Sequence, residues 1–339
     1  MEQKKKKLSK GKIRAIIVAA VSCAVALALI ITNFFVPVKY LASYFVLHNK
    51  GAAEGVMRVR FVDVGYGDCT IVELPDGKNM LIDCGDGRSA NQKRILKFLN
   101  QCDIDTIDYL VCTSVNNEHC GGFDEIIQYK KVKTIYMPYC LNTYVTDGYR
   151  DFVLAANSSN AEKKIIEYGA GEANEEYNYF FVFLSPSIHT NPEGEYANLN
   201  ENPSDENARN SASAVMWLQY GDTGFLFTGD ASVKVQTKIC EELLITDGVV
   251  GDYKIDFHNS DVAKIVKVAN HGNANSACAP LYDFIKPEAA VISVGQNGNG
   301  CPSLEVISDA AKYAGDKLFR TDEHGTVTFE VTRDGYAVI

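Results

Sequence analysis

The chain has 339 residues, 46% of them hydrophobic and 10% aromatic, enough apolar side chain for a sizeable core, so a disordered chain is excluded. Net charge is −10, but Lys4, Lys5, Lys6, Lys7, Lys10, Lys12 and Arg14 against Glu2 give the first fourteen residues +6, so the rest of the chain carries −16. A body that acidic is a poor general binder of nucleic-acid backbones, which are held by Lys and Arg, unless it keeps a local basic groove.

The basic start (residues 1–14) runs into residues 15–36, an uncharged apolar stretch of roughly the 20 residues a helix needs to cross a bilayer. It predicts one transmembrane helix. Lysines before it and Phe34, Phe35 and Tyr40 after it predict a cytoplasmic tail and an extracytoplasmic globular part, a single-pass protein of the cell membrane. A cleaved signal peptide is the competing reading, and a lipoprotein box at Cys23 a third; residues 33–37 make a poor cleavage site, and the apolar run continues well past Cys23. Nine cysteines lie outside this stretch. Their odd number and the lack of a Cys-x-x-Cys pair argue against a full disulfide framework and for mostly buried thiols.

Residues 37–56 are expected to be a juxtamembrane linker ending in a flexible Gly51-Ala-Ala-Glu-Gly55 tether, and residues 57–339 the domain proper. Period-two alternation over 58–63 and 69–74, a turn at 75–78 and an apolar run at 79–83 predict three antiparallel strands. A helix follows near 89–100, then a strand at 107–113 that runs into a polar loop and a Gly-Gly turn. Helix, strand and helix signals continue through 157, with a further short helix at 162–168 and a buried strand at 177–184. Residues 185–210, rich in Asn, Pro, Glu and Ser, read as a long loop of the kind that is functional or mobile. Residues 210–221 and 224–230 predict a hairpin, and Gly229 allows the sharp turn that would aim Asp230 into a cleft.

Five landmarks carry the chemistry. They are Phe61-Val-Asp-Val-Gly-Tyr-Gly-Asp68 with Leu81-Ile-Asp-Cys-Gly-Asp-Gly87; the loop Thr113-Ser-Val-Asn-Asn-Glu-His-Cys-Gly-Gly122; Gly224-Phe-Leu-Phe-Thr-Gly-Asp230; Ala263-Lys-Ile-Val-Lys-Val-Ala-Asn-His-Gly272; and the closing Arg320-Thr-Asp-Glu-His-Gly-Thr-Val-Thr-Phe329. In this order they resemble the metallo-β-lactamase superfamily and, more narrowly, the ComEC-like extracytoplasmic hydrolase domain. The resemblance covers about residues 57–339. It implies an α/β (α+β) fold, a four-layer αβ/βα sandwich of two mixed sheets with the cleft along one edge; residue periodicity alone does not yield that arrangement.

The family signature Thr-His-x-His-x-Asp-His-x-Gly-Gly places its first His on Ser114, its second on Asn116, its Asp on Glu118 and its last on His119. Asn270 occupies a further His position and His271 the next, and Cys301 stands where relatives often have His. The resemblance therefore implies that the first metal site, which needs imidazoles at 114 and 116, is lost. A second site could assemble from Glu118, His119, Asp230 and His271, with Cys301 or Asn270 nearby, and Asp83 would support the loop by hydrogen bonding. Such a donor set suits one divalent ion, zinc or manganese, or iron; the alternative is no ion at all. Glu118 is one methylene longer than the family's Asp, which moves its carboxylate by more than the ~0.2 Å tolerance of metal–ligand distances unless the loop compensates. Glu118 or Asp230 would serve as ligand or base.

Blander readings stand beside these. Asp230 could cap a helix starting near residue 231, and a lone loop His such as His119 is usually structural. Cys120 beside His119 raises a thiol site, although nucleophile and base normally come from separate segments; His324 reads as a turn residue. Two functions follow from the resemblance. One is a membrane-anchored hydrolase of phosphodiester or nucleic-acid-type substrates with a one-metal site. The other is an inactive pseudo-hydrolase that binds a surface protein partner through the cleft or through residues 185–210.

Overall fold

The computed structural model describes residues 12, 17–27 and 51–339, in two compact units, Met1–Leu47 and His48–Ile339. In the first, residues 17–27 are helical. No helix among the described residues is long and apolar enough to cross a membrane; the rest of the span expected at 15–36, and residues 37–50, lie outside the described residues.

The second unit contains β1 (Met57–Phe61), β2 (Thr70–Glu73), β3 (Asn79–Ile82), β4 (Thr106–Val111), β5 (Lys131–Met137) and β6 (Glu162–Ile165). There follow β7 (Gly171–Asn174), β8 (Tyr179–Ser185), β9 (Val215–Tyr220), β10 (Thr223–Phe227) and a small pair, β11 (Val249–Val250) and β12 (Tyr253–Lys254). The chain closes with β13 (Ala263–Lys267), β14 (Ala289–Ile292), β15 (Leu318–Arg320), β16 (Val327–Thr332) and β17 (Gly335–Val338). One sheet runs β17-β16-β1-β2-β3-β4-β5-β6 and the other β15-β14-β13-β10-β9-β8-β7. Both are mixed: β3 to β6 pair in parallel, as do β10, β13, β14 and β15, and the remaining neighbours are antiparallel.

Strand alternation explains the layering. On β9, Met216, Leu218 and Tyr220 enter a buried cluster shared with Val59 and Phe61 of β1, Ile82 of β3 and Phe329 of β16, so that cluster lies between the sheets. The opposite face of β9 sends Val215 and Trp217 into a second cluster with Val235, Ile239 and Leu243 of the helix Val233–Ile245 and with Leu281 and Ile285 of the helix Ala279–Ile285. Successive strand residues point to opposite faces, so one strand serves both layers. Gly224 sits opposite the Trp217 indole, where a Cβ would come within 2.0 Å of the ring.

Three expectations need correction. The tether at 51–55 is docked: Ala52 N donates to Glu73 Oε1 (2.7 Å), Gly55 N to Pro75 O (3.0 Å), and Tyr220 Oη to Gly55 O (2.6 Å). Glu73 is buried in an ion pair with Arg60, and the tether amide satisfies its remaining oxygen, as a buried carboxylate requires. The helix expected at 162–168 is instead the edge strand β6, whose pairing with β5 overrides local propensity; its exposed Glu162 and Lys163 suit an edge. The long loop at 185–210 contains two short helices, Glu195–Glu201 and Glu206–Ser211. The first buries Tyr196 and Leu199, three residues apart on one face. Asp205 caps the second by accepting from Asn207 N (3.0 Å).

Candidate metal centre

Parallel β3 and β4 end side by side, and the residues just past their ends begin the centre. Asp83 Oδ1 accepts the Thr113 amide (2.8 Å), and Asp83 Oδ2 accepts the Thr113 hydroxyl (2.6 Å). The loop after Thr113 turns into the four-residue helix Asn117–Cys120, which brings His119 back over Asp83. His119 Nδ1 lies 2.8 Å from Asp83 Oδ2. A carboxylate oxygen can only accept, so Nδ1 carries a proton and Nε2 is the ring nitrogen left to face the centre.

His271 arrives from the end of β13 with the same logic. Its Nδ1 lies 2.9 Å from the Ser293 carbonyl, so Nδ1–H donates and Nε2 is the free nitrogen. Asn270 and His271 hold φ of 48° and 54°, and Asp83 a φ of 58°. Three of the seven non-glycine residues with positive φ among the described residues therefore lie in this centre. Such conformations cost of order 1 kcal/mol or more each and persist where surrounding contacts impose them.

Asp230 follows β10. It caps nothing: Val233–Ile245 has Ser232 at its N-cap, and the carboxylate, 1% exposed, lies 2.9 Å from His119 Nε2 through Oδ2 and 3.8 Å from His271 Nε2 through Oδ1. His119 Nε2, His271 Nε2 and Asp230 Oδ1 are all buried without a hydrogen-bond partner. The 2.9 Å contact is therefore at ion-pair distance without the alignment of a hydrogen bond. Glu118, half-buried, brings a carboxylate oxygen into the same group, all four ligand atoms lying within 4.8 Å of one another. Two imidazoles and two carboxylates with unpaired lone pairs directed to one place are a donor set for a divalent ion, so the residues fit a metal. Gly67 makes the approach of Glu118 possible, since a Cβ there would sit 2.7 Å from the Glu118 carbonyl oxygen, which accepts the Asp68 amide (3.0 Å).

Electrostatics follow from burial. Burial alone would lower the His119 pKa, but Asp230 and Asp83 on either side raise it well above the ordinary value. Burial would raise that of Asp230, and His119, then His271 and Lys267, hold it well below the carboxylate range instead. Behind the imidazoles a second carboxylate, Asp68, pairs with the buried Lys267 ammonium, and Lys267 also donates to Gly229 O (3.1 Å).

The substituted positions are placed as follows. Ser114 Oγ accepts the Asn116 amide (3.3 Å) within the loop. Asn116 Nδ2 donates to Asp230 Oδ2 (3.1 Å) and to Asn210 Oδ1 (3.0 Å), and Asn116 Oδ1 accepts from Arg209 Nε (2.7 Å). Asn270 contributes backbone, donating its amide to Gly229 O (3.0 Å). Cys301 does not join the ligand group among the described residues; its thiol, pushed up by burial, sits by Tyr66 and Asn273. Cys120 is buried and donates to Asn116 O (3.1 Å), while the His119 ring engages Asp83 and Asp230, so the Cys–His site is not formed. His324 ends the short helix Thr321–His324 and bonds to the Arg320 backbone; it is not part of the ligand group. Sequence reasoning missed Asp68, Lys267, Arg209 and Asn210. For Lys267 a signal existed, a cation in the middle of the apolar run from Ile265 to Ala269.

The cleft above the centre, about 660 Å³, is lined by Glu118, Tyr66, Asp86, Arg88, Asp147 and Asp151 among others. A more apolar cavity of about 520 Å³ lies against the helix Val233–Ile245 and contains none of the candidate ligands; of those four residues Glu118 lines the polar cleft, while His119, His271 and Asp230 are buried behind it.

The model of the family described as Metallo-beta-lactamase superfamily matches residues 62–295. This chain belongs to the metallo-beta-lactamase superfamily. Within it the chain is similar to ComE operon protein 3 of Bacillus subtilis (strain 168), 23% identical over 293 residues that span 82% of this chain and 33% of the relative. It is also similar to Competence protein ComA of Neisseria gonorrhoeae, 24% identical over 295 residues, 87% of this chain and 35% of the relative. The chain thus spans about a third of the length of these curated relatives. Among solved structures, CmlA, a diiron beta-hydroxylase from Streptomyces venezuelae, aligns with a TM-score of 0.49 at 13% identity, covering 83% of this chain and 55% of that one. The superfamily's mixed α/β fold of two sheets accounts for the architecture, and the centre described above lies where β3, β4, β10 and β13 end.

Proposed function

We propose that this protein is a metal-dependent hydrolase with one divalent ion, zinc or manganese, held by Glu118, His119, Asp230 and His271. The observation that carries the reading is the convergence of three buried polar atoms that make no hydrogen bond, His119 Nε2, His271 Nε2 and Asp230 Oδ1, in one group with a Glu118 oxygen, since buried polar atoms left without a bond cost folding free energy unless a ligand meets them. A divalent ion in such a place supplies Lewis acidity and lowers the pKa of a bound water to about 7. Everything else falls to the chain. Asp83 and the Ser293 carbonyl hold the Nδ1 protons of His119 and His271, so both rings offer Nε2. Asn116 orients Asp230 through Oδ2, and Glu118, the half-buried member at the cleft, is the carboxylate placed to take a proton from an attacking water.

One of the relatives is named for competence, which supports a phosphodiester as the bond attacked. The acidic body, and Asp86, Asp147 and Asp151 around the cleft, favour a short or single phosphodiester over a long duplex. The apolar run at 15–36 supports a membrane anchor with the domain outside the cell. Asn116 favours a second reading: with its amide committed to Asp230, Asn210 and Arg209, one ligand position of the first metal is closed, and a pseudo-hydrolase that binds a surface partner would tolerate that.

Elemental mass spectrometry on the purified full chain decides between them. Near-stoichiometric metal in the wild type, lost in His119→Ala and Asp230→Ala, is the expected result, followed by a phosphodiesterase screen with that ion. No bound metal after incubation with excess zinc or manganese sinks the hydrolase and leaves the binding module.

A further inference from the structure

Position 116, where the family signature carries an imidazole, holds an amide engaged at both ends. Asn116 Nδ2 reaches Asp230 Oδ2 (3.1 Å), and Asn116 Oδ1 takes a hydrogen bond from Arg209 Nε (2.7 Å). The Arg209 guanidinium is therefore one amide away from the buried carboxylate of the metal centre. Its Nη1 donates to the Pro203 carbonyl (3.1 Å), which pins the group from the other side.

The charge state of that guanidinium is what needs explaining. Among the described residues, Arg58, Arg60, Arg88, Arg94, Arg150 and Arg320 each have a carboxylate within 4 Å. Arg209 has none, and of the described arginines without one it is the half-buried case, Arg333 being exposed. A guanidinium cannot shed its proton in a protein, and two neutral carbonyl oxygens do not neutralise a full charge. The rest of the chain beyond residue 14 carries −16, so carboxylates are plentiful. A half-buried cation left without one beside the centre is suited to an anion that comes from outside.

We propose that Arg209 is the anion-binding group of this site, taking a phosphoryl oxygen of the substrate on the side where the signature's lost imidazoles would have held a first metal. In a two-metal site the paired ions clamp the oxygens of a phosphoryl group; here one ion and one guanidinium share that task, and the planar fork of arginine matches two oxygens of a phosphate. The ligand class is a phosphate monoester or diester. This rests on the hydrolase reading for the ion, but the anion site stands on Arg209 and Asn116.

The test titrates inorganic phosphate calorimetrically into the full chain in detergent, loaded with manganese. Wild type, Arg209→Gln, Arg209→Lys and, as a control on an exposed arginine, Arg94→Gln are compared, with bound manganese measured in each. Arg209→Gln is expected to weaken phosphate binding about tenfold or more at unchanged manganese. Arg209→Lys should fall between, because it keeps the charge and loses the fork, and Arg94→Gln should match the wild type. Phosphate binding by Arg209→Gln within about twofold of wild type overturns the proposal, as does absence of phosphate binding by the wild type. So does loss of manganese together with phosphate, which would make Arg209 a clamp acting through Asn116 on Asp230. If Arg209→Gln does not fold, Arg209→Lys decides on the same twofold criterion. A wild type that takes up neither manganese nor zinc removes the hydrolase reading only, and the same phosphate comparison on the metal-free chain then judges Arg209.

Discussion

Replacing Lys267 with Met tests how the centre is braced from behind. Lys267 and Asp68 are each 4% exposed at the side chain and form a buried ion pair. Removing one partner of such a pair leaves the other charged in a low-dielectric site, a loss of about 3–5 kcal/mol. Two features of this site set the estimate near the lower end: Asp68 Oδ2 also lies 3.5 Å from His119 Nδ1, and Asp68 Oδ1 lies 3.7 Å from His271 Nδ1, so an imidazolium can take over part of the compensation. Lys267→Met is therefore expected to cost about 3 kcal/mol, and Asp68→Asn, which strands the ammonium on Gly229 O, about the same. The double variant removes both charges and should cost only about 1–2 kcal/mol, a coupling of roughly 4–5 kcal/mol. Urea unfolding of the full chain, followed by circular dichroism and by fluorescence of Trp217, the single tryptophan, gives all four values where the two transitions coincide. Additive losses, or a Lys267→Met variant within about 1 kcal/mol of wild type, would refute the brace.

Other consequences are checked more simply. Asp83→Asn should weaken metal retention about 10- to 100-fold against a competing chelator, because the ring it orients loses its charged acceptor, while leaving Arg209-dependent phosphate binding in place. Gly67→Ala puts a Cβ 2.7 Å from the Glu118 carbonyl at a φ of +149°, so a loss of about 2 kcal/mol or more together with reduced bound metal is expected; Gly298→Ala, with nothing within 4 Å, should stay within about 0.5 kcal/mol in the same unfolding assay. Glu195 supplies a pH dependence away from the metal. Burial would raise its pKa, but Lys238 and Ser187 hold it down to about 2, so its contribution to stability is present above the unfolded value near 4.5 and disappears as pH falls towards 2. Thermal melts between pH 6 and 2.5 should show wild type losing up to roughly 3 kcal/mol that Glu195→Gln never had; parallel curves for the two proteins would count against the Lys238 pairing.

Much of the candidate site was legible because the residues that could hold a metal lie at strand ends. His119, Asp230 and His271 each follow an apolar run within a motif, and the motifs recur in family order. Of the partners behind them, Asp83 was expected from the resemblance to support the loop by hydrogen bonding, but Ser293, Asp68 and Lys267 were not legible. That Asp83 and Ser293 select the Nδ1 tautomers depends on β3, β4, β13 and β14 lying side by side, which residue spacing does not encode. Arg209 was hidden for a related reason: a polar stretch without long-range periodicity reads as loop, and the helix Glu206–Ser211 that carries it to Asn116 is capped by a single Asp205 side chain.

The amino-acid sequence by itself determined the alternation that makes β1, β2, β9 and β10 strands, the turn glycines, the loss of imidazoles at 114 and 116, and thereby the family and the type of centre expected. Those are local properties, set by side-chain chemistry and by a period of two. Only the tertiary structure decided that β6 is a strand, that residues 51–55 are docked, that Lys267 neutralises Asp68, and that an arginine 93 positions away is bonded to Asn116. Each of these depends on which buried polar group is left needing a partner after the sheets have packed, and that demand exists only once the chain has folded.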